Sequence, residues 1–269
     1  MRHRHVDYKR DGAVATITLD NPALDNPALD NRIDAAMADS LREVCSALTQ
    51  DDSLRLVVIT GNGGVFSVGR SNLSNGDDIG DDISGGEGPL AWINQHQVAT
   101  VVADLQVPVI AAVNGDAMDH GLELALAADL RIASDDAKFG FPSLGQGAIP
   151  WDGGSQRLPR LIGPAWASDL LLTGRIVDAE QALEIGLVNR VVPAGRLAEE
   201  TRALADKVLA GAPIAARYAK EAVQKGMDLS LDQALRLEAD LNLLLHTTSD
   251  RAEGLQSFLE RRDPEFSGQ

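Results

Sequence analysis

The stretch Val109 to Leu130, VIAAVNGDAMDHGLELALAADL, constrains the fold more than any other part of the chain. Its first five residues are apolar, which suits a fully buried strand, and Asn114-Gly115 then supplies turn chemistry. A helix is predicted from near His120. Between Leu122 and Leu130 almost every residue is Leu or Ala, so this helix is apolar all round and belongs in a core. Glu123 is the exception in its first turn. An ionised carboxylate without partners is costly to bury, so it shifts its pKa, pairs, or serves a function. Two readings stand side by side: a first-turn Glu that complements the helix dipole, worth about 0.3 to 1 kcal/mol, and a working acid/base. The same helix start leaves the N–H groups of His120 and Gly121 without intrahelical acceptors, and such donors can hold a developing negative charge.

The 269 residues are enough for a sizeable core, in one large domain or one and a half smaller ones. Aromatic residues are only 4% of the chain, which argues against a base-stacking surface. A formal net charge of −16 argues against nonspecific nucleic-acid or anionic-membrane binding, both of which need basic surface. An anionic ligand therefore requires a local basic patch. The single cysteine, Cys45, excludes an intramolecular disulfide framework and a cysteine-cluster zinc site, and no metal is expected. The N-terminal MRHRHVDYKR is basic without an apolar run after it, so no secretory signal is expected, and no stretch has membrane-spanning length. A soluble, cytoplasmic protein is the expectation.

Along the chain, Gly12–Leu19 reads as a strand. The tandem NPALD at 21–25 and 26–30 reads as a duplicated loop before a helix over Ile33–Leu48, with Ala36, Met37, Leu41, Val44 and Leu48 as its stripe. Leu54–Thr60 is a buried strand. Gly61-Asn62-Gly63-Gly64 fits a dinucleotide fingerprint poorly, because Val65-Phe66-Ser67 follows where a helix is required. Residues 75–88 are acidic and Gly-rich, which suits a surface loop. A helix is expected over Trp92–Leu105, strands over Leu130–Ser134 and Ala137–Phe141, and then a Gly- and Pro-rich functional loop over Pro142–Gly154. Gln156–Leu172 is helical with a break at Gly163-Pro164. A helix over Asp178–Ile185 and a strand over Val188–Val192 follow. From Leu197 onward helix formers dominate, and Asp250 with Glu253 resembles a capping box opening a last helix through Arg262. Alternating strands and helices make the class α/β.

Five segments in order carry a resemblance: FSVGRSNL (66–73), AAVNGDAMDHGLELALAADLRIAS (111–134), KFGFPSLGQGAIPWDGGSQRLPRLIG (138–163), LTGRIVDAEQALEIGLVNRVV (172–192) and DRAEGLQSFLERRDPEF (250–266). Together they resemble the crotonase superfamily, the enoyl-CoA hydratase/isomerase family. The resemblance implies a crotonase-like spiral of ββα units over 1–196 and a helical C-terminal assembly region over 197–269 that packs homotrimers or paired trimers. It also implies an acyl-CoA thioester as substrate, with no further cofactor. Carried over by position, the two oxyanion-hole donors are the N–H groups of Arg70 and His120. In such holes one preorganised donor is worth about 2.7 to 4 kcal/mol. The His120 side chain stands where the family more often has Gly, and a histidine at a helix N-terminus favours its neutral form.

Hydratases of this family resemble one another in holding water between two glutamates. The first corresponds to Glu123. The second falls at Ser143, whose hydroxyl cannot serve as an acid or base near neutral pH. Asp152, in Trp151-Asp152-Gly153-Gly154, resembles the aspartate of dihydroxynaphthoyl-CoA synthases and ring-cleaving ketoacyl-CoA hydrolases, and is the candidate partner of Glu123. Its alternative is an Asx-type turn cap. Arg32, Arg70 and Lys220 are candidates for the CoA phosphates, and Ser143, Trp92 and Trp151 for the acyl pocket. The leading expectation is hydration of an α,β-unsaturated acyl-CoA. Double-bond isomerisation, ring-forming or ring-opening acyl-CoA chemistry, and noncatalytic acyl-CoA binding are the alternatives.

Overall fold

The computed structural model describes residues 2–3, 5–21, 31–69, 93 and 96–269. Arg70, Trp92, the 75–88 loop and the NPALD repeat after Asn21 lie outside the described residues. β1 (Arg2–His3), β2 (Val6–Asp11) and β3 (Val14–Leu19) form an antiparallel start. Ala15, Ile17 and Leu19 point inward from β3 with the period of two that a half-buried strand requires. β2 escapes a reading by hydropathy because Asp7, Lys9, Arg10 and Asp11 make it polar, and of its six residues only Val6 is buried. α1 (Ala35–Thr49) starts where the Asp34 carboxylate accepts the Met37 N–H at 2.7 Å. Met37, Leu41, Val44 and Leu48 are buried as expected, while Ala36 is only half-buried and Cys45 lies inside.

Three strand-strand-helix units follow. They are β4 (Leu56–Gly61), β5 (Val65–Ser67) and α2 (Ala99–Ala103); β6 (Val109–Val113), β7 (Asp116–Met118) and α3 (His120–Leu126); β8 (Leu130–Ser134), β9 (Lys138–Gly140) and α4 (Gly154–Thr173). β10 (Ile176–Asp178), α5 (Ala179–Glu184) and β11 (Arg190–Val192) close the spiral. The first strand of each unit enters a seven-stranded sheet, β1-β2-β3-β4-β6-β8-β11, parallel from β3 onward. The second enters a four-stranded sheet, β10-β9-β7-β5. β7 is three residues long, too short to announce itself by periodicity. As Gly163-Pro164 indicated, α4 breaks at Gly163, where φ is 79°.

The β4 and β6 strands show why continuous apolar runs were needed. Val57, Ile59, Val109, Ala111 and Val113 face the main core, while Leu56, Val58, Ile110 and Ala112 face a second one. α6 (Leu197–Leu209) covers that second face with Leu197, Leu204 and Ala205. Each fully buried Leu, Ile or Val contributes about 1.5 to 3 kcal/mol, so α6 is packed as part of the sheet layers. A boundary at 196/197 therefore runs between residues of one packed body. α7 (Pro213–Gly226), α8 (Leu231–Leu245) and α9 (Ser249–Glu260) follow.

All seven residues of α3 are buried. Its C-terminal end is met by buried Arg131, which donates to the carbonyl oxygens of Ala128 at 2.6 Å and Leu187 at 2.9 Å. Burial pulls that guanidinium down to about 10. The start expected for the last helix is corrected: Thr248 is the cap, accepting the Arg251 N–H at 3.2 Å. Asp250 is buried and accepts the N–H groups of Ser267 at 2.7 Å and Gly268 at 2.9 Å, pinning the C-terminal residues to α9. Among the described residues, no helix is long and apolar enough to cross a membrane.

Candidate active site

The first intrahelical bond of α3 runs from the Glu123 N–H to the Asp119 carbonyl at 3.0 Å, so the N–H groups of His120, Gly121 and Leu122 precede the ladder. Gly121 brings this helix end against β5: a Cβ there would lie 2.2 Å from the Ser67 carbonyl oxygen. No side chain larger than hydrogen fits.

Glu123 is 1% exposed and accepts on both oxygens. Oε1 takes the N–H groups of Asp152 and Gly154, each at 2.8 Å, and Oε2 takes His120 Nδ1 at 3.0 Å. A carboxylate oxygen accepts, so Nδ1 carries the hydrogen in that contact. Gly154 is required at its place, because a Cβ would meet Glu123 Cγ at 3.0 Å and Pro150 Cβ at 2.6 Å. The Gly-Gly after Asp152 thus lets the loop backbone reach the buried carboxylate. The dipole-complement reading of Glu123 does not account for three donors converging on it from two separate segments.

The His120 side chain is 4% exposed and lies between two carboxylates. Its Nε2 is 3.7 Å from Asp152 Oδ2 and has no hydrogen-bond partner among the described residues. Trp151 covers the imidazole, with ring centroids 4.8 Å apart. Trp151, a candidate for the acyl pocket, thus stands against His120 beside Glu123.

Asp152 has a different surrounding from the one its sequence position indicated. Its side chain is fully buried and four donors converge on it: the N–H groups of Val98 and Ala99, each 2.6 Å from Oδ2, and the N–H and hydroxyl of Thr100, at 3.1 and 2.7 Å from Oδ1. It caps the start of α2, more than fifty residues away in sequence, and not its own turn. With two donors on each oxygen its acceptor positions are filled, whereas Glu123 Oε2 takes a single donor, so the geometry favours a structural part for Asp152 over the acid/base role expected for it.

Lys220 is corrected in the same way. Its ammonium is buried, 2.9 Å from Asp129 Oδ2 and 3.0 Å from the Val107 carbonyl oxygen. The charge is paired inside the fold, which leaves no exposed ammonium at this position to meet a phosphate. Arg32 is half-buried beside the start of α1. Arg70 and Trp92 fall outside the described residues. Among the described residues, no three His, Cys, Asp or Glu side chains are grouped to hold a metal.

Asp119 was not singled out by sequence. An Asp just before a helix reads as an ordinary N-cap, yet it makes no side-chain cap bond to α3. Its carboxylate instead receives the Ser143 N–H at 3.1 Å on Oδ1 and the Ser143 hydroxyl at 2.6 Å on Oδ2. Burial raises its pKa, the two Ser143 bonds lower it, the Glu123 charge raises it and His120 lowers it, with a net rise.

This arrangement, a buried Glu on the central helix facing a Gly-Gly loop, coincides with a match of the enoyl-CoA hydratase/isomerase family model to residues 9–269. The chain belongs to that family. Within the enoyl-CoA hydratase/isomerase family it is similar to a crotonyl-CoA hydratase of Syntrophomonas wolfei, 35% identical over 99% of both chains. It is also similar to a short-chain-enoyl-CoA hydratase of Clostridium acetobutylicum, 33% identical over 97% of both. The crystal structure of an enoyl-CoA hydratase from Bacillus anthracis superposes with a TM-score of 0.86 at 33% identity, covering 98% of this chain and 100% of that one. The ββα spiral with C-terminal helices, expected from resemblance, is thus the fold observed in this family.

Proposed function

We propose that this chain hydrates an α,β-unsaturated acyl-CoA thioester, with Glu123 as the principal acid/base. The observation that carries the reading is the fixing of Glu123 by Asp152 N–H, Gly154 N–H and His120 Nδ1 at the start of a buried helix. Adding water at the β-carbon pushes the π electrons onto the thioester oxygen, so an enolate must be stabilised next to a proton-transferring group. The N–H groups of His120 and Arg70 serve that oxygen. Backbone donors do this whatever side chain they carry, which explains how His120 can stand at that position. Its imidazole orients Glu123, and Asp152 acts through structure, holding the 98–100 segment and the 152–154 loop together. CoA is carried by the substrate and no other cofactor is involved.

Arg32 and Arg70 remain the candidates for the CoA phosphates. A soluble, cytoplasmic homotrimer or homohexamer completes the reading. Its support is the apolar surface left open on the C-terminal helices, where Leu231, Leu243, Phe258 and Leu259 are 67 to 81% exposed.

The test is crotonyl-CoA turnover by the purified protein, followed by loss of enoyl-thioester absorbance and by product mass. Glu123→Gln should lower kcat by about 10²- to 10⁴-fold, the usual worth of a positioned acid/base. Tight CoA-ester binding without hydration would overturn the hydratase reading, and turnover of a 3-enoyl-CoA in its place would make the protein an isomerase.

A further inference from the structure

We propose that Asp119 is the second acid/base of this site, supplying from the start of the central helix the carboxylate that Ser143 lacks. The inference rests on the hydratase reading above. Hydration needs one group to take a proton from water and another to deliver one to the α-carbon. Asp152 has four donors on it and cannot take that part. Ser143, where a second glutamate was expected, is bonded through both its N–H and its hydroxyl to the Asp119 carboxylate. A short side chain at 143 and a carboxylate at 119 therefore occupy the site together.

Three features place this carboxylate at the chemistry. It is half-buried, unlike Glu123 and Asp152, and so is open to a substrate. It lies one residue before the His120 N–H and against Gly69, where an added Cβ would be 3.2 Å from Asp119 Cβ and 3.7 Å from Oδ2. Asp119 therefore joins the His120 end of the central helix to the turn at Gly69. Its backbone is at φ 46° and ψ −119°, a conformation that favours glycine. Strain of this kind is retained where surrounding structure and function require it.

Burial and the nearby Glu123 charge favour a proton on Asp119, against the Ser143 bonds and His120. Two carboxyl groups whose surroundings differ can divide acid and base roles. Glu123 takes a proton from water as the water oxygen bonds to the β-carbon, and the π pair moves to the thioester oxygen. The enolate then collapses and the α-carbon takes the Asp119 proton. Proton return from Glu123 to Asp119 resets the site, and the sum is addition of one water.

The experiment measures kcat and KM for crotonyl-CoA against pH in the wild type, Asp119→Asn, Ser143→Ala, and Asp119→Gly with and without Ser143→Glu. Asp119→Asn should lower kcat by at least about 100-fold with KM changed less than about threefold, and remove one limb of the pH profile. Adding Ser143→Glu to Asp119→Gly should recover at least about tenfold, because it returns a carboxylate to the water from the loop side. Asp119→Asn activity within about threefold of wild type, or an intact pH limb, would overturn the proposal. So would an equal loss in Ser143→Ala and Asp119→Asn with both pH limbs retained, which marks a clamp. No enoyl-CoA turnover by the wild type removes the hydratase reading and this proposal together. An active wild type with an equally active Asp119→Asn removes only this one.

Discussion

Replacing Asp152 by Asn keeps the side-chain shape and removes one acceptor atom from the start of α2. The amide oxygen can keep the Val98 and Ala99 N–H groups now on Oδ2. The amide nitrogen then faces Thr100. The Thr100 hydroxyl can turn and accept, but the Thr100 N–H, now 3.1 Å from Oδ1, meets a donor and is left unpaired. One orphaned N–H costs about 1 to 3 kcal/mol, and the two remaining bonds fall from charge-assisted to neutral strength, about 1 kcal/mol each. The total is about 3 kcal/mol at the low end. For a chain this large, 1 kcal/mol moves Tm by about 2 to 4 °C, so a drop of about 6 to 12 °C is expected. Differential scanning calorimetry and crotonyl-CoA kinetics on the same preparation check it. The folded variant should keep kcat within about tenfold, because Asp152 holds the loop N–H groups that fix Glu123 and transfers no proton itself. An unchanged Tm with kcat lost by more than about 100-fold would refute this reasoning and return Asp152 to the acid/base role.

Two further outcomes follow from buried groups. Lys220→Met leaves the half-buried Asp129 carboxylate without its cation, so urea unfolding should show a loss of about 3 kcal/mol with KM for crotonyl-CoA unchanged. A raised KM at full stability would place that ammonium on CoA instead. Burial pushes the Cys45 thiol from 9.0 up to about 12. The native protein should therefore resist a thiol-selective reagent near about pH 8 and react fully in denaturant. Because the unfolded chain releases that proton near 9.0 while the folded chain holds it to about 12, this thiol lowers stability as pH rises through that window. Full labelling of the active native protein would contradict the burial.

The local readings that came through are those in which the burial demand is written in consecutive residues. Val109–Val113 is a strand buried on both faces, and the Leu- and Ala-rich run after His120 is a helix with no exposed side, because no arrangement of such a segment leaves an apolar face in water at low cost. Glu123 stood out for the same reason. The short β7 and β10 and the polar β2 were not legible, since three residues carry no period and charges at a sheet margin resemble a loop.

The residue types of the site were thus present in the sequence, and their assignments were not. Asp152 before Gly-Gly and Asp119 before a helix both carry strong local turn or cap readings, and neither side chain bonds where those readings put it. Asp152 bonds to residues 98–100 and Asp119 to Ser143, partners brought near by the winding of the ββα units. Lys220 bonds to Asp129 because α7 packs back across the sheet end. The apolar pattern of the chain by itself determined which segments must be buried and which family the chain resembles. Which carboxylate has two donors on each oxygen and which keeps an acceptor position for a water molecule was decided only by the tertiary structure, because hydrogen-bond partners distant in sequence leave no trace in local composition.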